Sequence, residues 1–116
     1  MKLIVFEKAY ELSLEIHRVS LGFPKIEQYA LADQIRRASK SICANLAEGF
    51  GADQSPREKA RFLRMAIGSK DEVKLWLRYA RDLGYLDQAV FDRMHAGYEE
   101  VGKMLHSLKA KLATGN

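Results

Sequence analysis

The sequence holds one cysteine, two prolines and one tryptophan in 116 residues. A lone cysteine, Cys43, excludes a disulfide framework or a cysteine-built zinc site within the chain, and it accords with a reducing, cytoplasmic setting. So few prolines leave long stretches free to run as unbroken helix. The start, MKLIVFEKAYEL, has a four-residue apolar run before charges resume, too short for a signal peptide and far too short for a membrane span. No stretch alternates with period two, and there are no repeats, low-complexity tracts or long linkers. A glycine-rich phosphate loop, a nucleophile elbow and paired catalytic carboxylates are all missing. These absences point away from an enzyme and from a cofactor.

What is present is ordinary globular composition, 47% hydrophobic and 29% charged, in a length that suits one domain over residues 1–116. The formal net charge is +4, which permits polyanion binding without requiring it.

Apolar and small residues recur at alternating steps of three and four, the spacing of helix seams that face other helices. Phe6, Ala9, Ser13, Ile16 and Ser20 mark a first helix over 5–21, with Glu7, Glu11, Glu15 and Arg18 outside it and Gly22-Phe23-Pro24 to stop it. Leu31, Ile35, Ala38, Ile42, Asn45 and Gly49 mark a second over 28–49, followed by a polar loop at Ala52–Gln54. Ser55-Pro56-Arg57-Glu58 is a capping box with proline at the first helical position. It opens a third helix over 56–83, whose seam is Phe62, Ala66, Ser69, Val73, Trp76, Ala80 and Leu83, with Gly84 as its stop. Asp87 caps a fourth over 87–113 along Phe91, Met94, Tyr98, Val101, Leu105, Leu108 and Leu112, with Ala113–Asn116 expected to fray. Four such helices with short connections predict an all-α, antiparallel up-down-up-down four-helix bundle.

Three side-chain patterns are candidates for function. Gln34, Arg37, Ser41 and Glu48 run as a polar line beside the second seam, with Asn45 in it and Glu72 across on the third helix. They read as a polar network that sets register, with Arg37 and Glu72 as a candidate ion pair. Lys70, Lys74, Arg78 and Arg81 form one basic group on the third helix, Arg57, Arg61 and Arg64 a second, and Arg36 and Lys40 add charge on the second helix. Rows of this kind can follow a phosphate backbone or be plain solvated faces. Leu12, Val19, Ala32, Ser39, Cys43, Ala47, Gly68, Leu75 and Tyr79 are apolar or small positions beyond what four seams need, which suggests a homo-oligomer contact. Asp92 and His95 echo half of a di-metal carboxylate ligand pair, but the matching pair and glutamates are missing. No metal site is therefore assigned, and His17, His95 and His106 are read as solvated or hydrogen-bonded.

Gln34-Ile35-Arg36-Arg37-Ala38, Ser41-Ile42 and Asn45-Leu46-Ala47-Glu48-Gly49 together resemble the hallmark of the four-helix-bundle proteins encoded within intervening sequences of bacterial 23S rRNA genes. Phe62-Leu63 with Ala66, Gly68-Ser69 and Glu72 is similar to that family's second block, and Phe23-Pro24 with Glu27 and Tyr29 to its first connection. Relatives often carry proline where this chain has Cys43. The resemblance implies a cytoplasmic ring of five subunits without enzymatic activity. It also implies a likeness in fold to the accessory variability determinant of diversity-generating retroelements, a basic pentamer that binds nucleic acid and a reverse transcriptase. The expected function is a non-enzymatic homo-oligomer that binds RNA or DNA phosphates through basic helix faces, with a link to 23S rRNA intervening sequences and to a nucleic-acid-processing protein partner. The alternative is a protein-interaction scaffold with incidental polyanion affinity.

Overall fold

A computed structural model describes residues 3–51 and 53–114 of the chain. Four helices, α1 (Ile4–Ser20), α2 (Leu31–Phe50), α3 (Pro56–Asp82) and α4 (Gln88–Ala113), are joined by short connections, the first holding one 3-10 turn at Lys25–Glu27. No strand occurs among the described residues. Of the polar loop expected at 52–54, Ala52 lies outside the described residues, as do the last two residues of the expected fraying end.

The start of α2 shows the largest shift, from an expected 28 to Leu31, the far end of the window Ile26–Leu31 that the sequence leaves open, while the other helix ends agree within one residue. The intervening side chains are occupied elsewhere. Gln28 Nε2 donates to the Ser20 and Phe23 carbonyls, both at 3.0 Å, closing the end of α1. The Glu27 carboxylate accepts from the Leu31 N–H at 3.3 Å, so Glu27 caps the helix from outside it. Gly22 does not end α1 in left-handed geometry, since among the described residues only Gly84 has a positive φ. The chain leaves α1 through tight turns, Gly22 N–H to Val19 O at 3.0 Å and Phe23 N–H to Ser20 O at 3.1 Å, and Phe23 then plugs the core.

At α3, the Ser55 hydroxyl accepts from the Glu58 N–H at 3.1 Å. Only half of the capping box forms, because the Glu58 carboxylate turns to Arg61 instead. The far end closes as a Schellman motif: Gly84 sits at φ +83°, with Tyr85 N–H on Ala80 O at 2.8 Å and Gly84 N–H on Arg81 O at 3.0 Å. Asp87 caps α4 through the Val90 N–H at 2.8 Å.

α1 packs on α2 and α4, and α3 packs on the same two. Partner numbers fall as chain numbers rise in every pair. Ser41 meets Ser69 and Gly49 meets Phe62; Lys70 meets Gly102 and Lys74 meets Glu99; Leu12 meets Gly97 and Glu15 meets Arg93; His17 meets Lys40 and Ser20 meets Arg36. Adjacent helices are therefore antiparallel, in a body 46 × 23 × 19 Å. The core adds Leu46, Leu63 and Leu77, all fully buried, to the expected seams, while Trp76 is half-buried and Leu83 is exposed. The cause is that α3 serves two neighbours and needs two adjacent apolar stripes, not one seam. A Cβ on Gly49 would lie 2.8 Å from the Phe62 Cβ, so glycine sets how closely α2 and α3 approach.

Candidate nucleic-acid interface

The charge of the chain is concentrated on α3, which carries eight Lys and Arg against four Asp and Glu. That surplus matches the net +4 of the whole sequence. The nine candidate phosphate contacts do not behave alike, because their donors are committed to different degrees.

Arg36 is a structural clasp. Its guanidinium donates to Ser20 Oγ at 2.8 Å, to the Gln28 carbonyl at 2.9 Å and to Gln28 Oε1 at 3.3 Å, pinning the first connection to α2. Three of its five N–H donors are thereby committed to the fold. Lys40 lies 3.2 Å from His17 Nδ1 across the α1–α2 groove. Arg61 pairs with Glu58 at 3.1 Å and covers the Phe62 ring. Arg81 pairs with Asp82 at 2.9 Å and covers Phe91, whereas Arg78 reaches Asp82 only at 4.0 Å. Arg57 and Arg64 are exposed and have no acidic partner among the described residues.

Lys70 and Lys74 line a groove between α3 and α4, with Glu99, Gly102, Lys103, His106 and Ser107 from α4. Lys70 was expected on a solvated face but is only 7% exposed. It lies three residues before Val73, about 60° around the helix, and so beside the core stripe. Its ammonium donates to Asp71 at 2.7 Å. Lys74 pairs with Glu99, and that hydrogen bond, with the lysine's charge, holds the Glu99 carboxyl below its usual range. Lys103 and His106 were not expected here. Their signal is a cross-helix register that no single helix displays: only pairing Gly102 with Lys70 brings them to the same groove.

The polar line also divides. Asn45 Nδ2 donates to the Ser41 carbonyl at 2.8 Å and to Ser41 Oγ at 3.1 Å, and Ser69 Oγ donates to Ser41 Oγ at 2.8 Å. Ser69 thus joins a small α2–α3 network that the line did not include. Gln34, Glu48 and Glu72 are exposed, and no hydrogen bond among the described residues links their side chains to it. Arg37 pairs with Asp33 at 2.8 Å, one turn away on α2, and not with Glu72.

Of the candidate subunit contacts, Ala32 and Ser39 are fully buried inside the bundle, so they are core, not interface. Leu12 and Val19 pack against the core and Cys43 is partly covered. The burial of Cys43 pushes its thiol above the ordinary range, partly opposed by the Ser13 hydrogen bond, which disfavours a nucleophilic thiolate. Ala47, Gly68, Leu75 and Tyr79 are exposed. On α3 the last three continue into Met65 and Leu83, also exposed, as one apolar stripe at helical spacing.

Asp92 accepts from Gln88 at 2.8 Å, while His95 stacks on Phe91 and stands 4.0 Å from Glu99. Among the described residues no three His, Cys, Asp or Glu side chains come together as metal ligands. None of the described helices is long and apolar enough to cross a membrane.

Among solved structures, the chain is similar over nearly its full length to a bacterial protein. This is a protein of unknown function from the S23 ribosomal protein family of Bacteroides thetaiotaomicron, seen in a crystal structure. The TM-score is 0.85 at 23% identity, over 92% of this chain and 96% of that one. No curated protein matches. The likeness in structure shows the four-helix fold. The family follows from the sequence: the model of the 23S rRNA-intervening sequence protein family matches residues 1–107, and the chain belongs to that family.

Proposed function

We propose that the chain is a non-catalytic, self-associating helical bundle that binds RNA or DNA phosphates through the basic side of α3. The observation that carries this reading is the concentration of cations on α3, eight against four acids, with Arg57 and Arg64 exposed and free of acidic partners among the described residues. Such cations release counterions from a polynucleotide, so affinity falls steeply with salt, by a slope of about 0.9 per phosphate neutralised on a duplex. No base-reading arrangement accompanies them, so shape and charge govern the choice of target. The family's name makes a structured 23S rRNA intervening-sequence RNA the first target to test, and the cytoplasm is the compartment in which it would be met.

Titration of that RNA at two salt concentrations tests the reading. Binding at low salt, weakened by salt and by Arg57→Glu with Arg64→Glu, is the expected result; no binding at low salt overturns it. Self-association rests on the exposed stripe Met65–Leu75–Tyr79–Leu83. Light scattering is expected to give five times the 13.2 kDa chain mass, and a monomer refutes that part. The same stripe favours a second reading, a scaffold for another protein; a partner recovered after nuclease treatment, from a chain that binds no RNA, selects it.

A further inference from the structure

Lys70 is 93% buried, its four-carbon stem packed into the flank of the bundle while its ammonium comes out at a groove between α3 and α4. Its ammonium has three N–H donors, and its one hydrogen bond goes to Asp71, an acid on the exposed side of the helix. An apolar side chain of similar length would pack at this position without the charge. The opposing helix has made room for the ammonium: a Cβ at Gly102 would fall 3.1 Å from Lys70 Cε and 3.2 Å from its Nζ. Glycine therefore lets the Lys70 head lie against the α4 backbone. Around it opens a groove of about 530 Å³, with Lys74 on one wall and Lys103, His106 and Ser107 on the other.

We infer that this α3–α4 groove is a phosphate-binding subsite in which Lys70 is the fixed donor at the floor and Lys74, Lys103 and His106 close the rim. The inference deepens, and rests on, the proposed reading that α3 meets nucleic-acid phosphates. The charges facing the floor are Lys74, Lys103 and the acids Asp71 and Glu99. Glu99 is committed to Lys74, and Asp71 is largely exposed to water, so Asp71 can give up the Lys70 ammonium to a phosphate oxygen and be hydrated in its place. Two donors of Lys70 remain for the same phosphate. A charge-assisted hydrogen bond from an ammonium whose stem is held by packing loses less side-chain freedom than one from an exposed lysine, which makes the groove a fixed point on an otherwise diffuse basic face.

The phosphate could belong to a polynucleotide or to a small phosphate compound, and the experiment separates the two. Pyrophosphate and the structured RNA are titrated separately while the histidine ring protons are followed by NMR. His106 is expected to shift with pyrophosphate while His17, in the α1–α2 groove, does not move. Lys70→Met is expected to weaken pyrophosphate about tenfold, the loss of one charged hydrogen bond, and Lys103→Glu to reduce the salt slope of RNA binding by about one. Gly102→Ala, whose Cβ crowds the Lys70 head by a few tenths of an ångström, is expected to weaken pyrophosphate in the same direction but by less than Lys70→Met. Urea midpoints of the three variants confirm folding, and Lys103→Glu, at an exposed position, keeps the test valid if Lys70→Met is unstable.

If RNA binds and neither the variants nor His106 respond, the subsite is refuted while the nucleic-acid reading stands. If RNA does not bind but pyrophosphate shifts His106 in the parent and not in Lys70→Met, the subsite stands for a small phosphate compound and the nucleic-acid reading falls. No response to either probe refutes both.

Discussion

Arg36 and Lys70 are both cations drawn into the flank of the bundle, and in sequence both read as phosphate contacts. At the α1–α2 end, the guanidinium of Arg36 has three acceptors within 3.3 Å, all from the connection it pins. In the α3–α4 groove, the ammonium of Lys70 has one, and the space in front of it is lined by further cations. The difference teaches that burial does not decide whether a cation is structural; the number of donors already used does. A planar fork with three of its five donors used to pin a connection builds the fold, whereas a point charge with one of three used keeps donors for a ligand.

The sharpest way to break that contrast is Arg36→Met. Removing charged hydrogen bonds at a partly buried site, with water able to repay some of the loss, is expected to cost about 2 kcal/mol. Urea unfolding should show a lower midpoint at unchanged slope, and thermal unfolding a fall of roughly 10 °C. RNA affinity per folded molecule should stay at the parental value. Unchanged stability with weakened RNA binding would place Arg36 with the ligand-facing cations and end the comparison.

A third buried polar group extends the scale. Tyr98 is fully buried and its hydroxyl has no partner, and burial pushes its phenol far above the ordinary range. Unlike Lys70 it faces no groove, so the cost is carried with no ligand to relieve it. Tyr98→Phe is expected to stabilise the chain by about 1 kcal/mol, the penalty of an unanswered hydroxyl. The raised phenol also favours folding at all pH values below the unfolded phenol's pKa of about 10. That contribution is lost as pH rises beyond it, since only the unfolded chain can ionise there. Tyr98→Phe should therefore flatten the alkaline limb of the stability profile, and a variant as steep as its parent would refute this.

How much of this was legible in the sequence follows from which signals are local. The seams of α2 and α4, the Ser55 and Asp87 caps and the Gly84 stop are one-helix features, and the structure places them as expected. The start of α2 was legible only to within the window Ile26–Leu31, because Glu27 and Gln28 look like helix formers until their side chains are seen capping two helix ends. Ala32 and Ser39 looked like surplus small residues because a single seam was assumed, whereas α2 buries a second stripe against α1. The groove around Lys70 was illegible for a further reason. It needs the register between α3 and α4, and one chain read alone shows where a lysine sits on its own helix but not that a glycine waits opposite.

The smallest effect tests the rim of that groove. Lys74 and Glu99 are paired on the exposed side, and the depressed carboxyl of Glu99 comes first from the Lys74 hydrogen bond and charge, with His95 and Lys70 adding to it. A carboxyl whose pKa is lower in the fold contributes stability that is present above its unfolded value, about 4.3. That contribution is lost as pH falls through the lower folded value. An exposed pair contributes little, so the acid limb of stability should steepen only slightly, and Glu99→Gln should remove that increment. Binding is expected to move the other way. Protonating Glu99 frees the Lys74 ammonium, so pyrophosphate affinity should rise as pH falls into the acid range, and Glu99→Gln should show that gain already at neutral pH. If Glu99→Gln alters acid stability but leaves pyrophosphate binding untouched, Lys74 is committed to the fold as Arg36 is, and Lys70 alone remains on the ligand side of the comparison.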